Sequence, residues 1–377
     1  MVSRRSVALL ATLLTALLLL APPGPAGAEE IKVGMLAPLT GPASSWGEYM
    51  RDAAELAVAE INDTGGVKGV GKLKLVYEDS EGSPKAGVTA ATKLATLHKV
   101  HVVLGEALSS VTLPTMAVTQ RAEIPQLTPI SGSPQITAGG NKWIFRTQIN
   151  QKYSGDLLAE WAVKRLGFKQ IAIMHANEPF GAGGAEGFRE GLAKRGVKPA
   201  AFERFNREDK DFSGQLRRIK ESGAKLLGFF GFHTEAAIAF KQAKQLGLSL
   251  TILTNDALAN PKFLELAGED AEGVIISSMF IADDPDPLVQ AFVKRFKARF
   301  NREPNQFHAS VYDAFYILKT AFERAGSTSN VKLRDALLSI QDLRGTTGVH
   351  KFDAQGDDRK PFILMTVKKG QYTFYAK

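Results

Sequence analysis

Apolar residues along the chain fall alternately into short β-branched runs and into stripes spaced three and four residues apart. The runs at 31–38, 73–77 and 102–105 read as buried strands, and the stripe Ala53, Leu56, Ala57, Ile61 reads as a helix over 46–61. A further helix is expected over 84–97, and strands over 124–130 and 142–148. The series then starts again. Helices are expected at 155–166, 184–195, 212–221 and 234–246, interleaved with strands at 170–175, 199–205, 225–232 and 250–254. Such alternation predicts parallel sheets covered on both faces and built by right-handed crossovers. After a strand at 274–280 the pattern changes to three close helices (288–300, 307–324, 331–340) and a β-rich tail over 348–375 with turns at 355–357 and 369–370. Two wound sheets, a late helical pack and a β tail imply two lobes that the chain crosses between more than once.

One stretch, 102–137, holds the candidate chemistry. Ser109 and Ser110 follow the strand that Gly105 closes, where a helix should begin, and Ser is a favoured N-cap. The next strand ends in the small turn Ser131-Gly132-Ser133. Ligands in open α/β sheets sit beyond the carboxyl ends of strands, and helix N-termini favour anions. The expected object is a cradle for a small carboxylate, the competing reading being two capped helices with no ligand.

Composition changes the picture in two places. Residues 1–28 carry Arg4 and Arg5, an apolar run, and Ala26-Gly27-Ala28, which together read as a cleaved secretory leader. The remaining 349 of 377 residues suit two domains, and the formal charge of +8 loses two units with the leader. The chain has no Cys, which excludes disulfides and a Cys-linked lipid anchor. These features predict an exported, periplasmic protein. The basic stretch 294–299 reads as a solvated helix face, and export argues against a nucleic-acid partner.

Enzyme motifs fail on spacing. Gly181, Gly183 and Gly184 follow a strand, but the next glycine is Gly187, one place late for a dinucleotide loop. No P-loop Gly-Lys-Ser/Thr and no G-x-S-x-G elbow occurs. His98 and His101 straddle a helix end and a strand start, and Asp283, Asp284 and Asp286 lack a calcium-loop spacing. No cofactor, metal or catalytic residue is expected.

The segments IKVGMLAPLTGPASSWGEYMRDAAELAVAEINDTGGVKG, YEDSEGSPKAG, GEALSS, TPISGSPQIT, IAIMHANEPFGAGG and DFSGQLRRIK occur in one order along the chain. As a set they resemble the periplasmic solute-binding proteins of branched-chain amino acid ABC importers, the Leu/Ile/Val-binding type. The resemblance implies the type I periplasmic binding fold, two Rossmann-like lobes with doubly wound parallel sheets joined by a three-crossing hinge. It places one lobe at 29–148 with 278–361 and the other at 149–277 with 362–377.

The same resemblance implies site roles, residue by residue. Ser109, with Ser110 beside it, would bind a ligand carboxylate, and the Ile130 carbonyl would face an ammonium. Gly132 stands where the family has a Thr, so Ser131 or Ser133 would have to supply that hydroxyl. Asp256 would pair with the ammonium. Trp46, Phe180 and Phe232 would line the side-chain pocket, with Phe at two positions where Tyr is frequent, giving a drier pocket. A buried Asp needs compensation in any case; its competing role is to cap the helix that follows.

The expected function is a monomeric periplasmic receptor that hands a small amino acid, Leu, Ile or Val first, to an inner-membrane ABC permease. The alternatives are a receptor for an aromatic or other hydrophobic carboxylate, the sensing subunit of a signalling complex, and a secreted NAD-dependent enzyme.

Overall fold

The computed structural model of the chain describes residues 29–375, so the expected leader lies outside the described residues. The first apolar run forms β1 (Glu29–Ala37), with Val33 and Met35 facing one side of a sheet and Leu36 the other. Both faces are apolar because helices cover both. Around β1 lie β2 (Gly71–Asp79), β3 (Val102–Gly105), β4 (Gln126–Thr128) and β5 (Ile144–Arg146). All pair in parallel, in the order β2-β1-β3-β4-β5. Their crossovers are α1 (Ser44–Asp63), α2 (Pro84–Thr96), α3 (Ser109–Arg121) and the single turn α4 (Gln135–Ala138).

The second series repeats this winding. Its strands are β6 (Ile171–Ala176), β7 (Ala201–Phe205), β8 (Leu226–Phe230), β9 (Thr251–Thr254) and β10 (Ile275–Ser278). Their order β7-β6-β8-β9-β10 matches the first sheet strand for strand. The helices are α5 (Gln151–Glu160), α6 (Pro179–Lys194), α7 (Ser213–Glu221), α8 (His233–Gln245) and α9 (Pro261–Ala267). Ile171 and Ile173 face α5 and α6, whereas Ala172 and Met174 face the other layer, the period-2 signature of a strand buried on both sides.

Gly181, Gly183, Gly184 and Gly187 all lie inside α6. A Cβ on Gly155 would stand 2.4 Å from the Gly184 carbonyl oxygen, and one on Gly187 2.2 Å from that of Lys152. Those glycines let α5 and α6 touch backbone to backbone. That is the physical reason for a motif that superficially suggests a nucleotide loop.

Three passages join the two sheets. The chain leaves β5 for α5. It then returns from β10 to α10 (Pro287–Phe300), α11 (Gln306–Ala325) and α12 (Asn330–Leu338), with α10 and α11 packed on α1. Within the basic stretch 294–299, Arg295 holds Glu60 at 2.9 Å and Lys297 holds Glu303 at 2.7 Å. A hairpin, β11 (Leu343–Gly345) and β12 (Gly348–His350), precedes the third passage. That passage leads to β13 (Ile363–Lys368) and β14 (Gln371–Phe374), which extend the second sheet antiparallel. The first hairpin thus turns at Thr346-Thr347, earlier than expected. The expected turn at 355–357 is instead one over 353–356, closed by Gly356 N–H on the Asp353 carbonyl, with isolated bridges from Phe352 to Asp358 and from Arg146 to Asp357.

Buried charge pins this third passage. Arg146, fully buried, donates from Nε to Asp357 at 2.8 Å and from Nη2 to Thr137 at 3.0 Å, and its Nη1 meets the Ser133 carbonyl. Beside it, His350 lies between two carboxylates, with Nδ1 2.6 Å from Asp358 and Nε2 3.1 Å from Asp313. Lys360 approaches Asp358 at 3.3 Å and donates to Thr347. Burial and Lys360 oppose protonation of His350, but the bonds to Asp313 and Asp358 prevail and raise its pKa. A raised folded-state pKa gives stability that is complete below the unfolded value of about 6.5 and is lost as pH climbs through the folded one. Urea denaturation should therefore show stability falling as the pH rises above about 6.5, and His350→Gln should flatten that limb.

Candidate functional site

In each sheet the strand order reverses at one point, between β1 and β3 and between β6 and β8. The loops leaving those strands face one another. Trp46 follows β1, Ser109 follows β3, Phe180 follows β6 and Phe232 follows β8. With Ile130 after β4 and Asp256 after β9, these six residues line one small cavity. A cleft at paired switch points is where doubly wound folds bind ligands. Ala107, Leu108, Gln148, Ala257 and Phe307 complete the lining.

One end of the cavity is built to donate hydrogen bonds. Ser109 is the first residue of α3 rather than its cap; Leu108 holds the cap position with no side-chain bond. The Ser109 Oγ accepts the Ser133 N–H at 3.1 Å, which leaves its own proton free to point into the cavity. The first amides of α3 have no acceptor within the helix and add a partial positive charge. Beneath them Glu106 is fully buried, accepting from Ser80 at 2.8 Å and from the Leu108 N–H. Desolvation pushes its carboxyl up to about 8, against those hydrogen bonds.

The walls are aromatic. Trp46 meets Phe307 edge-on at 4.6 Å between ring centres and reaches across the cleft to His233 at 5.6 Å and Phe232 at 6.2 Å. Phe180 and Phe232 stack at 5.4 Å. Phe180 sits in the first turn of α6, whose cap is Glu178, and Phe232 occupies the cap position of α8 rather than the end of a strand. Burial, then the charge of Arg207, lowers His233 to about 4, so this wall is neutral at physiological pH. Contacts between rings from opposite sheets describe a closed cleft.

Asp256 is buried, and its partners are amides. Gln148 and Gln306 donate to Oδ2 at 2.8 and 2.9 Å, and Gln151 donates to Oδ1 at 2.8 Å. Desolvation raises its pKa, with these amides and its own backbone N–H pulling the other way. It does not cap the helix that follows: Asn260 caps α9 by accepting from Phe263 N–H.

The remaining expected residues lie behind the cavity. Ser131 bonds Thr112 at 2.6 Å and the Glu106 carbonyl at 2.8 Å, inside the first lobe. The Ser133 hydroxyl accepts from Gln135 N–H. Ser110 sits on α3 outside the lining. Gly132 is pressed close: a Cβ there would stand 2.8 Å from Gln151 Cγ and 3.0 Å from Phe180 Cε2. The ring of Phe180 and the stem of Gln151 fill the space a Thr side chain would need. Gly132→Thr should therefore weaken ligand binding rather than restore a donor, by an overpacking cost of about 1–3 kcal/mol read by calorimetry.

Sequence reasoning missed Gln148, Gln151, Gln306, Phe307 and Glu106. The two glutamines of TQINQ, directly after an apolar strand, were a visible signal, since polar amides there must find partners. Gln306 and Phe307 carried none beyond the start of a helical stripe.

The periplasmic binding protein family profile matches residues 30–371. The chain is 31% identical over 331 residues to a leucine-, isoleucine-, valine-, threonine- and alanine-binding protein of Pseudomonas aeruginosa, covering 88% of this chain and 87% of that protein. Its fold superposes on the leucine-binding protein LivK of Thermotoga maritima with a TM-score of 0.86 at 26% identity, covering 92% of this chain and 98% of that one. LivJ of Streptococcus pneumoniae, solved with isoleucine, gives 0.85 at 26% identity over 91% and 98% of the two chains. Matched over nearly its whole described length, with two identically wound sheets and one cavity at their paired switch points, the chain belongs to the periplasmic binding protein family.

Proposed function

We propose that this protein is the ligand-binding component of an ABC importer. It takes a small hydrophobic carboxylate of the branched-chain amino acid type into the cleft and presents it to an inner-membrane permease. The lobes are 29–148 with 278–361 and 149–277 with 362–377, and the site is Trp46, Ser109, Ile130, Phe180, Phe232 and Asp256. The observation that carries this reading is the cavity itself, with the Ser109 hydroxyl and α3 amides at one end and four aromatic rings around the rest. The ligands for which the relatives are named, leucine, isoleucine and valine among them, fit that polarity. The ligand binds the first lobe through its carboxylate, and closure brings Phe180 and Phe232 over it, so the ligand stabilises the closed population. No group in the cleft is placed for covalent chemistry, and the ligand leaves unchanged. Among the described residues no helix is long and apolar enough to cross a membrane. A protein acting as a monomer in the periplasm, exported by the leader at 1–28, fits this role.

The test is a thermal-shift series on protein unfolded and refolded to strip bound ligand, against the proteinogenic amino acids and a set of hydrophobic carboxylates. A ligand at a thousand times its Kd adds about 4 kcal/mol, a shift of several degrees. A response to Leu, Ile, Val or carboxylates of that shape supports the reading; a flat panel refutes it.

A further inference from the structure

Three of the acceptor positions of Asp256 are already taken by side-chain amides, and this bears on what the cleft reads in its ligand. A carboxylate has about four lone-pair sites. Two on Oδ2 receive Gln148 and Gln306, and one on Oδ1 receives Gln151. Two of the three side-chain amides have an orientation set by backbone donors. Met279 N–H donates to the Gln306 Oε1 at 3.1 Å and Ile149 N–H to the Gln148 Oε1 at 2.9 Å, so each Nε2 must face Asp256. The donors also come from separate parts of the fold. Gln148 lies on the first passage, Gln151 opens α5, and Gln306 opens α11 on the opposite side of the cleft. The Gln306 Oε1 accepts from Ser278 Oγ at 2.8 Å as well, at the start of the second passage. Asp256 is thus the point where the second lobe, two passages and the first lobe are hydrogen-bonded together.

Resting on the importer reading, we infer that Asp256 locks the closed cleft through Gln306, Gln148 and Gln151 and is not the partner of a ligand ammonium. The ligand is selected by its carboxylate and its apolar body. An α-amine, where present, is left with the Ile130 carbonyl, and that one bond roughly offsets the cost of taking the amine out of water. Carboxylates with the leucine skeleton but no amine therefore bind as tightly as leucine, within about tenfold.

The experiment measures leucine and 4-methyl-2-oxopentanoate by calorimetry on the refolded protein and on Asp256→Asn, Gln306→Ala and Ser109→Ala, with melting curves as the check on folding. Asp256→Asn places an amide against three amide donors. The expected result is a loss for both ligands by the same factor, and the same parallel loss in Gln306→Ala, whose position touches no ligand carboxylate. Ser109→Ala should also weaken both. An ammonium partner predicts otherwise: leucine at least a hundredfold tighter than the oxo acid in the wild type, and selective loss of leucine in Asp256→Asn. That pattern overturns the inference while leaving the importer reading intact. Failure of the folded wild type to bind either compound, or any other hydrophobic carboxylate, overturns the reading and the inference with it.

Discussion

Replacing Arg146 with Met should lower the stability of the protein by about 3–5 kcal/mol, the usual cost of removing one member of a buried ion pair. Arg146 is fully buried, and Asp357 is its counter-charge through both Nε and Nη2. Losing the guanidinium strands Asp357 with Thr137 and Asn150 as its side-chain donors, at 2.9 and 3.2 Å. It also releases the Ser133 carbonyl and so loosens the turn whose N–H orients Ser109. In a chain of this size the loss should appear as a melting temperature lower by about 4–7 °C. The double variant Arg146→Met with Asp357→Leu should recover part of it, because the stranded charge is gone. A drop under about 1 kcal/mol for the single variant would mean the pair is solvated in solution.

The second large effect is expected at Trp46. It is 3% exposed, yet its ring belongs to α1 and its neighbours Phe232 and His233 belong to the opposite lobe. That burial exists in the closed cleft, so truncating Trp46 removes contacts that form with closure. Trp46→Ala should weaken ligand binding by about 2–4 kcal/mol, or roughly 30- to 1000-fold, with most of the change in the off-rate. Phe202→Ala is the control: its half-exposed ring packs on His175, away from the cavity. A Trp46 variant that binds like the control would show that the lobes close without this ring.

Between these two residues lies the difference between what a linear reading reaches and what it does not. Ser109 was legible because it follows a strand, and in a wound sheet the ends of strands are where a ligand lies; Trp46, Phe180, Phe232 and Asp256 were reached through the resemblance to a known family. Their roles were less legible. Ser109 looked like a cap and is a first-turn residue with its hydroxyl free to donate. Ser131 and Ser133 share the right loop, but their hydroxyls turn toward Thr112 and Gln135. Which way a loop side chain points is decided by its neighbours in space.

The sequence by itself determined the repeating βαβ order, both layers of buried strands, the late helical pack and the loops that could meet a ligand. Those follow from hydrophobic periodicity, which is local and survives in one dimension. The tertiary structure alone decided the pairing of Arg146 with Asp357, 211 residues apart, and of Gln306 with Asp256, 50 apart. It also decided that Gly155 and Gly187 serve helix contact and that Asp256 is met by amides instead of a cation. Each of these depends on which groups are brought together when three separate passages of the chain meet, and a buried polar group takes whatever partner the packing supplies.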